Sequence, residues 1–303
     1  MAKKRRSGQA IRSARKFYLF ICPWLIVFVL FTIIPMAFSL VMSFTSAKIT
    51  TLTTKPLEFL GISNYVRMFT VDSRFIKSIC NTLIYALARV FFGTLLALLL
   101  ALLLNSKIRG RKIFRTMIYL PAVIPIVGAT LLWKLMIFQD RNIVNYILSL
   151  IGLGGADFLS PSMALGTVVA INIWSGVGPS MLILLAGLQG VPQDLLEAAT
   201  LDGAGPFTRF YKIVLPMLSS TLFFVLITGM IGAFQVYAEV ELLTGSMSAT
   251  VTMAMLVVDN AFALDAYGIG YASAQGWFNF ALTLVFTGIF FAVSKRTVYY
   301  AGM

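Results

Sequence analysis

Few residues of the sequence could carry out covalent chemistry. The chain has no histidine, and its two cysteines, Cys22 and Cys80, do not form a metal-ligand spacing. It contains no G-x-x-x-x-G-K-[ST] segment, the loop that holds nucleotide phosphates. The serines of WSGVGPS, residues 174–180, have no base in helical register, so we interpret them as small residues that let helices pack closely. The sequence therefore predicts no catalytic residue, no metal site and no cofactor held by this chain.

Polar side chains inside apolar segments are better candidates, and they indicate binding. Arg89 lies well inside one such segment, where an unpaired charge in lipid costs about 2.5 to 3.5 kcal/mol, so it must either pair with another group or line a wet cavity. Asn172 and Trp174, with Gln235 and Tyr237, combine hydrogen-bonding groups with flat aromatic faces. Sugars bind to such sets, because their hydroxyls need directional partners and their C–H faces stack on rings. The alternative is an interfacial aromatic belt and hydrogen bonds between helices.

The composition of the chain indicates that membrane-spanning helices must position these side chains. Hydrophobic residues make up 59% of the chain and charged residues 12%, and the mean hydropathy is +0.90, more than a soluble core needs. A bilayer core about 30 Å thick requires roughly 20 apolar residues per helix. Six runs fit: 17–44, which we expect to be retained rather than cleaved as a signal, 78–104, 115–136, 163–188, 214–237 and 270–293. The sequence thus predicts an all-α membrane protein with six transmembrane helices, kinked but not broken at Pro23, Pro35, Pro121 and Pro125.

The distribution of Lys and Arg orients these helices, because both residues are retained on the cytoplasmic side. Three regions are rich in them, the N-terminal head, the second-to-third loop and the tail: Lys3, Lys4, Arg5, Arg6, Arg12, Arg15, Lys16, Lys107, Arg109, Arg111, Lys112, Arg115, Lys295 and Arg296. The charged residues of the fifth-to-sixth loop are all acidic: Glu239, Glu241, Asp259 and Asp265. The first-to-second loop is an exception, since its Lys48, Lys55, Arg67, Arg74 and Lys77 outnumber Glu58 and Asp72. The head and the even number of spans outweigh it, so both termini are predicted to be cytoplasmic. This topology also explains the net charge of +13 without a nucleic-acid partner.

The loop between the fourth and fifth runs, residues 189–213, is too long for a tight turn and should be structured. Pro192 suits a helix start, Gly203 or Gly205 a helix stop, and Pro206 the start of a second short helix. Glu197 lies beside two alanines, which would let another backbone approach closely. We interpret the loop as two short helices under the membrane that form a docking surface. The alternative is a membrane-surface loop without a partner.

The order of residues in this loop, EAATLDGAGPFTRFYKIVLP, resembles the EAA motif of binding-protein-dependent ABC importer permeases. The matching positions are Glu197, Ala198, Ala199, Asp202, Gly203, Ala204, Phe210, Ile213, Leu215 and Pro216. Further segments resemble the carbohydrate branch, maltose-type and glycerol-phosphate-type: CPWLIVFVLFTIIPMAFSLVMSF, FLGISNYVRMF, NTLIYA, IFRTMIYLPAVIP and GYASAQGWFNF. One segment departs from the family pattern, because LLTGSMSATVT retains only Thr244 and Gly245 of a Thr-Gly-Gly-Gly-Pro turn.

The resemblance implies the type I ABC importer permease fold and half of a two-permease pore, usually a heterodimer. It implies coupling helices that insert into a groove on a separate ATPase subunit. The complex would contain two such subunits, which would hold ATP and Mg, together with an extracytoplasmic solute-binding protein and a carbohydrate substrate, in the inner membrane of a bacterium or archaeon. The expected organisation is a basic cytoplasmic segment (1–16), the first helix with its outer loop (17–77), a five-helix core that includes the coupling loop 189–213 (78–293) and a cytoplasmic tail (294–303). The alternatives are a permease for a non-sugar solute such as a sugar phosphate or polyol, a secondary transporter, and a membrane scaffold or enzyme. A secondary transporter would need coupling-ion carboxylates at the midplane, and the sequence shows none there.

Overall fold

The computed structural model describes residues 17–48, 56–106, 108–138, 143–153, 155–245, 247–262 and 267–299. These residues form helices, with one isolated antiparallel bridge between Thr45 and Phe59. The helices are α1 (Phe17–Met42), α2 (Ser63–Thr70), α3 (Ser73–Asn105), α4 (Arg111–Tyr119), α5 (Ile126–Ile137), α6 (Ile143–Leu150), α7 (Ala164–Gln189), α8 (Gln193–Leu201), α9 (Pro206–Ala233), α10 (Ala238–Thr244), α11 (Met253–Phe262) and α12 (Ile269–Thr297). The prediction of an all-α membrane fold is confirmed.

Five of these helices, α1, α3, α7, α9 and α12, are long and apolar enough to cross a membrane, and the third predicted span is a bent pair. The segments Arg111–Val123 and Ile126–Ile137 meet at 96°, so the prediction of a kink rather than a break is wrong here. The cause is local: Ile124 is extended, with ψ of 129°, because the following Pro125 disfavours helical geometry before it. In α1, by contrast, Pro35 is accommodated after the π-helical turn Val29–Ile33 within one helix.

Helices also occur where loops were predicted. Both α10 and α11 lie in the segment between the fifth and sixth spans. A helix does start at Pro206 as predicted, but it is the beginning of the long helix α9 and not a separate short helix. The N-terminal head 1–16, Lys55, Lys107, Asp265 and residues 300–303 of the tail lie outside the described residues. The cytoplasmic location of the termini therefore stays a prediction.

The described residues form two compact units, one of which joins the residues before Arg67 to Asn260–Trp277. Asn64, 2% exposed, is an organising residue of this unit. Its Nδ2 donates to the Ser43 carbonyl at 2.9 Å and to the Thr45 carbonyl at 3.0 Å. This amide therefore satisfies backbone acceptors where the chain leaves α1, as buried carbonyls require.

The second unit contains the remaining residues and the packing of α3 on α7. Ala86, Ala97 and Ala101 of α3 are fully buried, as expected where small residues allow helix backbones to approach. On α7, a Cβ added to Gly178 would lie 2.7 Å from the Ile118 carbonyl oxygen. The interpretation of the 174–180 serine and glycine segment as packing residues fits this close approach to α4.

Candidate functional site

A cavity of about 290 Å³ lies between α3, α7 and α9 in the second unit. Its lining combines apolar side chains with Arg89, Thr94, Asn172, Ser180 and Thr228. Glycines make room for the largest of these groups, because a Cβ at Gly176 or Gly229 would lie 3.3 or 3.2 Å from a nitrogen of Arg89. The cavity volume is near the lower end of the range for small-molecule sites.

Arg89 is the charged side chain of this cavity, and it lies at the middle of α3. Its Nε donates to Asn172 Oδ1 at 2.8 Å, and its Nη1 donates to the Gly229 carbonyl oxygen at 3.0 Å. The two alternatives predicted for this arginine are therefore both met, because it is paired and it also faces a cavity. One guanidinium connects α3 with α7 and α9.

Asn172 extends the network to a carboxylate, since its Nδ2 donates to Glu239 Oε1 at 2.6 Å. The two charged partners determine how the amide is oriented. A carboxylate only accepts and a guanidinium only donates, so the amide nitrogen must face Glu239 and the amide oxygen Arg89. Asn172 thus joins a cation to an anion and leaves neither without a partner in an apolar region.

Glu239 reaches this network because α10 is positioned against α5 and α7. Lys134 of α5 donates from Nζ to the Leu242 carbonyl oxygen at 2.7 Å, in the last turn of α10, where a cation is favoured. Glu239, predicted to lie in the fifth-to-sixth loop, is therefore in a helix and contacts Asn172, which also contacts the middle of α3. The side of the membrane on which it lies stays a prediction.

Neither Glu239 nor Lys134 was predicted as a site residue from the sequence. Lys134 is an ionisable residue within the third apolar run, so the criterion that selected Arg89 would also have selected it. Glu239 follows the fifth run in a segment with no apolar periodicity long enough to indicate that it returns among the spans. Only the three-dimensional contact with Asn172 identifies it.

The other predicted path residues do not line the cavity. Trp174 packs edge-on against Trp133, with ring centroids 5.4 Å apart and an interplanar angle of 82°. Tyr237 is half-buried against the core, and Gln235 is exposed. The structure thus brings Arg89 and Asn172 together through a hydrogen bond between helices, the alternative interpretation for Asn172, whereas Trp174 packs on Trp133. Their part in transport stays a prediction.

The predicted coupling segment is ordered and exposed. Helix α8 begins after Pro192 and ends at Leu201, and Gly203 makes the turn with φ of 78°. A Cβ at Gly203 would meet nothing within 4 Å, so the need for glycine comes from the backbone angle and not from close approach. Arg209 stabilises the turn, because its Nη1 donates to Thr200 Oγ1 at 2.7 Å.

The motif residues occupy distinct parts of this segment. Glu197, Ala198 and Asp202 are exposed, while Ala199 and Ala204 are half-buried and joined by a bond from the Ala204 N–H to the Ala199 carbonyl at 2.9 Å. Phe210 lines an apolar cavity of about 280 Å³ with Phe207 at the start of α9. The remaining motif residues are half-buried in α9: Ile213, Leu215 and Pro216.

Large apolar side chains project from the same segment. Leu201 is 89% exposed and Phe207 is 79% exposed. Leu201 lies between Glu197 and Asp202 in the sequence, and Phe207 is in the first turn of α9. A surface with apolar side chains and a carboxylate in one short structured segment is suited to bind a protein partner.

Comparison with known proteins gives consistent matches along the chain. The family model described as the binding-protein-dependent transport system inner membrane component matches residues 93–299. The probable ABC transporter permease protein YesP of Bacillus subtilis is 36% identical over 290 residues, 93% of this chain and 91% of that protein. The trehalose/maltose transport system permease protein MalF of Thermococcus litoralis is 34% identical over 286 residues, 94% of this chain and 95% of that protein.

A third relative and a solved structure extend the comparison. The sn-glycerol-3-phosphate transport system permease protein UgpA of Yersinia pestis is 30% identical over 247 residues, 80% of this chain and 82% of that protein. A chain in the crystal structure of a bacterial ABC transporter involved in the import of the acidic polysaccharide alginate superposes with a TM-score of 0.80 and 25% identity, covering 97% of this chain and all of that chain.

Proposed function

Since the chain belongs to the family of binding-protein-dependent transport system inner membrane components, we propose that it is the permease subunit of an ATP-driven carbohydrate importer. In this proposal it forms half of the translocation pore, and a second homologous permease forms the other half. Two ATPase subunits bind ATP and Mg on the cytoplasmic side, and a solute-binding protein delivers the substrate from outside. The chain itself transports and does not hydrolyse ATP.

The observation that carries the coupling part of the proposal is the exposed segment formed by α8 and the start of α9. A loop that only connected two spans would not need Leu201 and Phe207 exposed on an ordered, hydrogen-bonded turn. A partner that covers these side chains gains their apolar area, and a groove with amide or basic groups would hold Glu197. We therefore assign this segment to ATPase docking.

The substrate class is inferred from the relatives. One of them is named for trehalose and maltose and another for glycerol phosphate, and the solved neighbour imports a polysaccharide. The cavity of about 290 Å³, which contains Arg89 and hydroxyl groups, supports a small polar solute. A carbohydrate or a close derivative of one fits both observations.

Replacement of Glu197 by lysine tests the coupling assignment. Loss of one partner of a buried charged hydrogen bond costs about 2 to 5 kcal/mol, which corresponds to docking weaker by roughly thirtyfold to several thousandfold. We expect Glu197→Lys to abolish solute uptake and ATPase co-purification without preventing membrane insertion. Glu58→Lys, the same change at an exposed carboxylate of the first-to-second loop, is the control and should retain the ATPase. Normal uptake and co-purification by Glu197→Lys would remove the main support for ATPase docking at α8.

A further inference from the structure

Among the described residues, the cavity beside Arg89 is lined by the hydroxyl groups of Thr94, Ser180 and Thr228, and the last two have their protons engaged within their own helices. Ser180 Oγ donates to the Gly176 carbonyl at 3.3 Å, and Thr228 Oγ1 donates to the Phe224 carbonyl at 2.7 Å. Their protons are therefore engaged within α7 and α9, and the two oxygens offer only lone pairs to the cavity. A solute hydroxyl could donate to either oxygen.

Arg89 supplies donors to the same space. A guanidinium has five N–H groups, and within the described residues those of Nη2 make no hydrogen bond, whereas Nε and Nη1 are engaged with Asn172 and Gly229. A Cβ built at Gly176, one of the lining residues, would lie 3.3 Å from Nη2, which places this nitrogen at the cavity wall. Donors that are free, fixed in direction and positively charged match the oxygens of a carboxylate or a phosphate group.

The described lining of the cavity carries positive charge only. Of the described residues that line the cavity, Arg89 is the only ionisable one, and Glu239 does not line it. The Glu239 carboxylate instead accepts from Asn172, on the side of the amide opposite Arg89. Asn172 and Glu239 therefore act as positioning residues that hold the guanidinium in one orientation without occupying its Nη2 donors.

We propose that this cavity recognises a carbohydrate that carries an oxyanion, a carboxylate or a phosphate group, through Arg89 Nη2. The proposal rests on the proposed function, because it names the solute that the importer takes. The acceptor oxygens of Ser180 and Thr228 receive sugar hydroxyls, and Arg89 receives the anion. A neutral sugar can accept from Arg89 only through hydroxyl oxygens, which make weaker bonds than an ionised oxygen does.

The test measures binding of glucose, glucuronate and glucose 6-phosphate to the assembled importer in lipid nanodiscs, without the solute-binding protein and at constant ionic strength. Glucuronate or glucose 6-phosphate should bind about tenfold or more tightly than glucose, the ratio expected of a charge-assisted hydrogen bond. The two acidic probes distinguish a carboxylate from a phosphate. The proposal would be overturned if glucose bound as tightly as both acidic probes, or if neither acidic probe bound detectably.

Variants test whether the preference for acidic sugars over glucose arises in this cavity. Arg89→Gln should remove the preference for the acidic probe, and Arg89→Lys should restore part of it, because lysine keeps the charge without the planar fork. Arg74→Gln removes the same charge from the same helix, where Arg74 pairs with Asp259 outside the cavity, and should keep the preference. A preference that survives in Arg89→Gln would mean that the anion binds elsewhere. Co-purification of the ATPase and ATP-driven uptake are scored on the same samples, so a failure of the importer assignment is seen separately from a failure of anion recognition.

Discussion

Replacement of Asn172 by leucine tests whether the network of Arg89, Asn172 and Glu239 stabilises the fold as its geometry implies. Leucine has a similar size, but it neither accepts from Arg89 nor donates to Glu239. The change therefore removes the bonds of 2.8 Å and 2.6 Å together. It leaves a cation and an anion in a half-buried region without the amide that joins them.

The expected cost follows from these two bonds. A hydrogen bond to a charged group contributes about 1.5 to 3 kcal/mol, so the loss of two costs about 3 to 6 kcal/mol. The additional apolar surface of leucine offsets about 1 kcal/mol. We expect the free energy of unfolding to fall by about 2 to 5 kcal/mol, in the range measured when one member of a buried ion pair is removed.

The matched control is Asn279→Leu. Asn279 Nδ2 donates to the Phe234 carbonyl at 3.1 Å, and its Oδ1 is buried with no hydrogen-bond partner among the described residues. Leucine there loses one neutral bond of about 1 kcal/mol and removes an unsatisfied acceptor that costs about 1 to 3 kcal/mol, so the change should be neutral or stabilising. Both variants are compared with the parent protein by denaturant titration in mixed detergent micelles. An Asn172→Leu protein within about 1 kcal/mol of the parent, or an equal loss in the two variants, would refute the reasoning.

Three further predictions concern helix packing, the coupling turn and topology. Gly178→Ala places a Cβ 2.7 Å from the Ile118 carbonyl and should cost about 1 to 3 kcal/mol in the same titration, whereas Gly128→Ala, where nothing lies within 4 Å, should cost nothing. Gly203→Val should weaken ATPase co-purification and uptake, because φ of 78° costs a β-branched residue about 1 to 2 kcal/mol, while Gly203→Asn should be tolerated; equal behaviour of the two would exclude a role for the angle. In a protein without Cys22 and Cys80, a cysteine replacing Ser7 or Gly302 should be protected from an impermeant reagent outside intact cells, and labelling of either would show that the predicted orientation is wrong.

Local signals in the sequence predicted the coupling segment well. Pro192 precedes α8, Gly203 has the positive φ that a glycine stop allows, and Pro206 is in the first turn of the next helix. Each of these residues restricts or frees its own backbone, so its effect does not depend on distant contacts. The length of the following helix was not predictable in this way, because the apolar run of α9 begins only after Lys212 while its backbone hydrogen bonds begin at Pro206.

Contacts between distant residues were not predictable from the sequence. The cost of a charge in lipid indicated that Arg89 must pair or line a cavity, but it could not name Asn172 or Glu239 as partners. Hydropathy gives the apolar length of a run but not the direction of its backbone, so the break before Pro125 was predicted to be a kink. The partner of a polar residue in a membrane helix is set by the packing of other helices, which no local pattern encodes.

Two basic residues of the first-to-second loop, Arg74 and Lys77, are exceptions to the Lys and Arg distribution that orients the helices, and both have partners in the structure. Arg74 Nη2 lies 3.0 Å from Asp259 Oδ2, and Lys77 Nζ donates to Ser248 Oγ at 3.2 Å. Asp259 belongs to the segment predicted to be outside because it has no Lys or Arg. The acidic segment and the exceptional arginine are thus in contact at the N-terminal end of α3, which is consistent with both lying on the same side of the membrane.

Helix α9 connects the proposed docking segment directly to the cavity. It is continuous from Pro206, next to the turn at Gly203, to Gly229, whose carbonyl accepts from Arg89. At about 1.5 Å per residue these ends are roughly 35 Å apart. Because the helix backbone is hydrogen-bonded along this length, a displacement of the docking segment moves the Gly229 carbonyl unless the π-helical turn Phe210–Val214 absorbs it. Such a movement would break the bond from Arg89 Nη1 while Nε keeps its bond to Asn172, so the guanidinium would change its set of free donors. The same helix that would receive the motion of an ATPase therefore alters the side chain proposed to hold the solute.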